Sequence, residues 1–125
     1  MKVEISNGEL LDKFSILEIK MGNITDPSKL TNIENEYKEL TSDCTNLLRD
    51  STICSLYAEL KSINQKLWIV EDDIRDCERS KDFGSQFVSL AREVYFTNDE
   101  RARVKKEINL ASGSSLVEEK SYQAY

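Results

Sequence analysis

Two clusters of ionisable side chains have the types and spacing to do chemistry. Glu71, Asp72, Asp73 and Asp76 put four carboxylates on a short segment, and a hard cation such as Mg²⁺ takes carboxylate oxygens. The competing reading is a solvated helix face on which Glu71 pairs with Arg75 one turn on, which is what charge runs usually are. The second cluster is Arg92, Tyr95, Asn98, Asp99, Arg101 and Lys105. A guanidinium matches carboxylate and phosphate through paired hydrogen bonds, so this set reads as a site for a small anionic ligand, a nucleotide or sugar phosphate. Its plainer counterpart is an interhelical ion pair of Arg101 with Asp12, Glu18 or Asp72, because buried charges are usually paired. Asp12 and Lys13 interrupt an apolar stretch and form a third candidate, with a narrow wet strip as the ordinary explanation. Nucleophilic catalysis has little to work with: the chain has no His to act as a base, and no Ser or Cys sits in an elbow motif.

Composition narrows the setting. At 125 residues, 39% hydrophobic and 32% charged, the chain has the make-up of one globular domain with a helical bias. A net charge of −6 argues against a nucleic-acid partner, whose phosphates call for a basic face. Cys44, Cys54 and Cys77 are odd in number and in no paired spacing. A disulfide framework or zinc site is therefore not expected, and a reducing cytoplasm is. No apolar run approaches the roughly eighteen residues of a membrane span, and Met1 to Ile5 lacks the core of a signal peptide.

The elements that must position these side chains are helices. Ile53, Leu56, Leu60, Ile63, Leu67, Val70, Ile74 and Cys77 recur at alternating steps of three and four, with no Pro or Gly between Ser51 and Phe83. That stripe predicts one rod of about 40 Å covered lengthwise by a facing helix. Trp68 lies beside it, as a dimer anchor or as a flank of the core. A second stripe, Leu30, Ile33, Tyr37, Leu40, Cys44 and Leu47, precedes the first, so the two suggest a hairpin, with a turn at Arg49 to Thr52 favoured over a continuous helix. Upstream, Lys2 to Ile5 reads as a short strand or extended lead-in. Ser6 with Glu9 makes a capping box for a helix whose apolar residues, Leu10, Phe14, Leu17, Met21 and Ile24 against Ile16 and Ile19, occupy two sides. Asp26 before Pro27 starts the next helix. Asp82, or Ser80, reads as the N-cap of the last, along which Thr97 to Glu100 could kink or restart the chain. Ser112 to Ser115 ends that helix, and the following residues, with Leu116, Val117 and two tyrosines, are expected to dock in part.

Two resemblances bear on function. Glu34, Glu36 and Glu39 resemble half of the acidic motif of all-α nucleotide pyrophosphohydrolases, but the position three after Glu71, where that motif continues, is Ile74. The stretches Glu4 to Lys13, Ile16 to Lys20, Leu67 to Arg75, Tyr95 with Asn98 to Arg101, and Glu118 to Tyr122 together resemble a family of small uncharacterised proteins of bacteria or their phages, a domain of unknown function. That resemblance spans nearly the whole chain and implies no activity. It does single out polar positions, among them Asp12, Lys13, Glu18, Glu71, Asp72, Arg75, Asn98, Asp99, Arg101, Lys120 and Tyr122.

The expectation is then a single all-α domain of four long helices, at about residues 7–24, 27–49, 52–80 and 83–110, built from antiparallel coiled-coil hairpins, with a tail at 112–125. A homodimer is expected because the stripes look too long for so small a chain to cover. The function expected first is a non-enzymatic interaction or scaffold protein. The alternatives are an anion-binding module using Asp12, Lys13, Arg92, Asn98, Asp99, Arg101, Lys105, Lys120 and Tyr122, and a Mg²⁺-dependent phosphohydrolase using Glu71, Asp72, Asp73 and Asp76.

Overall fold

Local chemistry sets most helix boundaries. In the computed structural model, which describes residues 1–125, α1 spans Asn7–Asn23 and opens where Ser6 Oγ accepts the Glu9 N–H at 3.1 Å. The Glu9 carboxylate does not complete the predicted capping box; it accepts from Lys105 Nζ at 2.6 Å. Residues 1–6 form no strand. Asp26 Oδ1 accepts the Ser28 and Lys29 N–H groups at 2.9 and 3.2 Å, and Pro27 begins α2, Pro27–Leu48. Asp50 in turn caps α3, Ser51–Ser80, through the Thr52 and Ile53 N–H groups at 2.9 and 3.1 Å, so the chain does break between the two stripes.

The start of the last helix differs from expectation. Lys81 closes α3 in the left-handed conformation, φ 55°, and α4 runs Ser85–Ser112 from a Gly84 cap that makes no side-chain bond. Asp82, the expected cap, instead accepts the Gly84 N–H at 3.0 Å and tightens the turn ahead of the helix. Nothing interrupts α4 at Thr97 to Glu100, where Thr97 is buried. Gly113, at φ 62°, ends α4 with the left-handed geometry that glycine adopts without a steric penalty.

The helices pack on one another without any strand, and the pair whose stripes suggested a hairpin, α2 and α3, is not the main contact. α3 lies most extensively along α4 and α1 along α2, while α2 and α3 share much less. An apolar stripe demands a covering helix without saying which one. Covered it is: Ile53, Leu60, Ile63, Val70 and Cys77 are buried, and Leu56, Leu67 and Ile74 are half-buried, within one chain. The core joins Leu11 and Phe14 of α1, Cys44 of α2, Ile53, Leu60 and Ile63 of α3, and Val104 and Ile108 of α4. Phe14 stacks on Tyr37, ring centres 4.4 Å apart, and Tyr57 tilts against it at 6.2 Å. All three cysteines are free thiols, Cys44 and Cys77 buried and Cys54 exposed, and burial, with the charges of Asp43 and Glu18, pushes the Cys44 thiol up to about 12.

α1 touches all three other helices, as its two apolar sides require. Its contacts run backwards along both members of the α3–α4 pair. Gly8 meets Lys105 and Asn109 while Asp12 meets Arg101; Asp12 meets Asn64 while Glu18 meets Tyr57 and Lys61. Since α3 and α4 themselves run oppositely, α1 must cross them obliquely. The crossing is close at Gly8, whose N–H donates to Asn109 Oδ1 at 2.6 Å and where any Cβ would collide with the Lys105 carbonyl. Beyond the crossing the α3–α4 pair continues alone as an arm, in which Val70 and Cys77 are the buried residues between position 65 and Thr97. No helix is long and apolar enough to cross a membrane.

Candidate anion-binding cleft

The oblique crossing of α1 brings Asp12 beneath α4. It is 1% exposed, and a carboxylate so placed needs every oxygen engaged. Arg101 supplies two donors: Nε at 2.8 Å from Oδ1, and Nη2 against Oδ2. Asn64 Nδ2 on α3 donates to Asp12 Oδ1 at 2.9 Å and to Ser15 Oγ at 2.8 Å, and Ser15 Oγ donates to the Asp12 backbone carbonyl at 2.7 Å. No buried side-chain nitrogen or oxygen in the chain lacks a partner. Hydrogen bonding and charge from Asp12 push the Arg101 guanidinium up from its usual value against the opposing effect of burial. Of the three carboxylates that the sequence offered to Arg101, this is the one it meets. Glu18 is taken instead by the Tyr57 hydroxyl and by Lys61 Nζ at 3.3 Å.

The tail supplies the other wall. After Gly113 the chain turns back, with Ser114 Oγ accepting the Asn7 N–H at 3.1 Å and donating to the Leu116 carbonyl at 2.7 Å. It then pairs with α4 twice at the same spacing: Lys105 Nζ with Glu118 at 3.4 Å, and Lys106 Nζ with Glu119 at 2.9 Å. Lys105, its side chain 12% exposed, also reaches Glu9 and lies 3.9 Å from Asp12 Oδ2. Lys120 returns to Glu118 at 2.7 Å, and that bond together with the charge of Lys105 holds the Glu118 carboxyl below its usual range. Further along, the Tyr125 hydroxyl donates to Asp99 while its ring packs edge-on to Tyr95 and Phe96, centres 5.5 and 5.1 Å away. The Asp99 carboxylate is the main reason the Tyr125 phenol is pushed up to about 12.

Between α4 and the tail lies a cleft of about 1140 Å³. Its lining includes Arg101, Arg103, Lys105, Lys106 and Lys120, the carboxylates of Asp99, Glu118 and Glu119, the amide of Asn98, and the rings of Tyr95, Tyr122 and Tyr125. Such a site can hold an anion between ammonium and guanidinium groups and lay a flat moiety on a phenol ring.

The residues singled out by sequence divide accordingly. Asn98, Asp99, Arg101, Lys105, Lys120 and Tyr122 line the cleft, and Asp12 lies beneath it, fixing Arg101. Lys13 points elsewhere, pairing with Glu36 of α2 at 2.9 Å. Arg92 sits 5.7 Å over the Phe96 ring and does not line the cleft. The acidic run does not gather into the metal site that its composition allows: Glu71 pairs with Arg75, Asp76 with Arg79, Asp72 and Asp73 are exposed, and no three such side chains converge. Trp68 is half-buried on α3. Sequence reasoning missed Arg103, Lys106, Glu118, Glu119 and Tyr125, and it missed Asn64. A signal existed in the doublets Lys105-Lys106 and Glu118-Glu119, of opposite sign and thirteen residues apart.

No curated protein and no solved structure matches the chain. A family model described as a family of unknown function, DUF6165, matches residues 1–125, so the chain belongs to that family.

Proposed function

We propose that the chain is a non-enzymatic binding module for a small anionic ligand, held in the cleft between α4 and the tail. The observation that carries this is the concentration of five cationic side chains, Arg101, Arg103, Lys105, Lys106 and Lys120, around one concavity of a chain whose net charge is −6. Tyr95 and Tyr122 line the same concavity and add aromatic surface for whatever is attached to the anion. A nucleotide or sugar phosphate has that combination of charge and flat or ring-shaped body.

Thermal unfolding with phosphate, nucleotides and sugar phosphates tests the proposal, since a ligand of the native state stabilises it by mass action, by about 2.7 kcal/mol at a hundred times its Kd, and so raises the midpoint. The informative variants are Lys106→Ala and Lys120→Ala, whose side chains are about half exposed and support no buried partner. They should abolish the shift with unchanged circular dichroism. Arg101→Ala is a poor choice because it strands Asp12.

A homodimeric scaffold is the second reading, and the exposed Ile69, Phe83 and Val88 on the arm favour it. Its original premise, an uncovered stripe, lapses because α1 and α4 cover the stripe. Sedimentation separates the two: a 14.4 kDa species leaves the ligand reading alone. The setting that suits either is a reducing cytoplasm, given three free thiols.

A further inference from the structure

Resting on that reading of the cleft, we propose that Glu118 and Glu119 are internal competitors standing where two adjacent anionic groups of the ligand bind, and that the ligand belongs to the class of diphosphates. The observation is the matched pair of doublets. Neighbouring carboxylates meet neighbouring lysines, Glu118 on Lys105 and Glu119 on Lys106, each across thirteen residues, and Lys120 closes on Glu118 from the other side.

The contacts are built to be exchanged. Glu119 is the one carboxylate paired with Lys106, and Glu118 the one paired with Lys120; both ion pairs are about half exposed. Exposed pairs of this kind are individually weak. Lys105 differs. It is nearly buried and keeps Glu9 at 2.6 Å, so removing Glu118 opens one place on an ammonium group already fixed in position. The tail adds little apolar cover, since Leu116, Val117, Tyr122 and Tyr125 are all exposed.

Competition sets the ligand class. A carboxylate tethered by a short segment faces its lysine at an effective concentration of about millimolar, and a free monocarboxylate cannot outbid it at ordinary concentrations. A diphosphate brings two linked groups of higher charge and more acceptor oxygens, one for each of Lys105 and Lys106. Lysine is a suitable point-charge partner for phosphate. Lys120, released from Glu118, becomes available to the same anion.

Calorimetric titration of the full chain with inorganic diphosphate and, separately, inorganic phosphate is the test. It uses the wild type, Glu119→Gln and the double variant Glu118→Gln/Glu119→Gln, each checked by circular dichroism. Diphosphate should bind more tightly than phosphate. The double variant should bind diphosphate about tenfold more tightly than wild type if the carboxylates hold their lysines about nine-tenths of the time, with Glu119→Gln between the two. Unchanged or weaker binding in both variants would overturn the competition, and phosphate binding as tightly as diphosphate would overturn the ligand class, each leaving the anion site standing. Binding of neither anion by any of the three chains would remove the anion site itself, and this inference with it.

Discussion

Asp12 and Arg101 form an ion pair whose carboxylate is fully buried. Their bond joins α1 to α4, and Asn64 ties the same carboxylate to α3. Removing one member of a buried, hydrogen-bonded pair leaves the other charged without compensation, a loss of about 3–5 kcal/mol. Asp12→Ala and Arg101→Ala should each lower the unfolding free energy, Arg101→Ala by about that range and Asp12→Ala nearer its lower end, because Arg101 retains some contact with water. The double variant should cost clearly less than the sum, measured by urea denaturation of all three. Additive losses would mean the pair is not coupled. The sequence contained this contact only as one of three possible partners for Arg101. Eighty-nine residues separate the two side chains, and periodicity cannot choose between Asp12 and Glu18 when both lie on the same helix.

Helices were the most legible level, and for local reasons. Ser6, Asp26 and Asp50 each cap within three residues, so their signals sit in the text itself. The start of α4 was misplaced because the left-handed Lys81 shifts the turn and turns Asp82 toward Gly84 instead of the first helical turn. Which helix lies along which was not legible, since the stripes of α2 and α3 are interchangeable as hydrophobic surfaces. The tail was legible as something that docks, from its apolar pair and tyrosines, but its carboxylates gave no sign of their partners. Its attachment should be sensitive to pH in a definite direction. Glu118 is held below its ordinary 4.5, so its contribution is present above that value and disappears as the pH falls through the lowered one. Lys120 is held above 10.5, chiefly by its bond to Glu118, so from its side the contact survives neutral pH and fails only beyond that value. Amide NMR signals of residues 116–124 should therefore titrate below pH 4.5. A flat profile through that range would exclude an ionic attachment of the tail.

At the scale of the molecule, the thickness of the bundle is uneven. Around Leu11, Leu60 and Val104 at least three helices meet, whereas the arm has only α3 against α4. Regions with few buried contacts open at less than the global cost. Hydrogen exchange should accordingly be faster for Leu67–Ser80 and Ser85–Val94 than for Ile53–Asn64 and Val104–Ile108. Equal rates throughout would mean that the arm opens only with the whole domain.

The buried carboxylate also settles a question that grease leaves open. A stripe that repeats every seven residues looks much the same after sliding by about 10 Å, one heptad of helix. Asp12 does not look the same: such a slip of α4 would bring Val94 or Ile108 to the place of Arg101, and an ionised group would face a hydrocarbon wall. A single acidic side chain thus works as an alignment pin, making one of several near-equivalent zippers the native one.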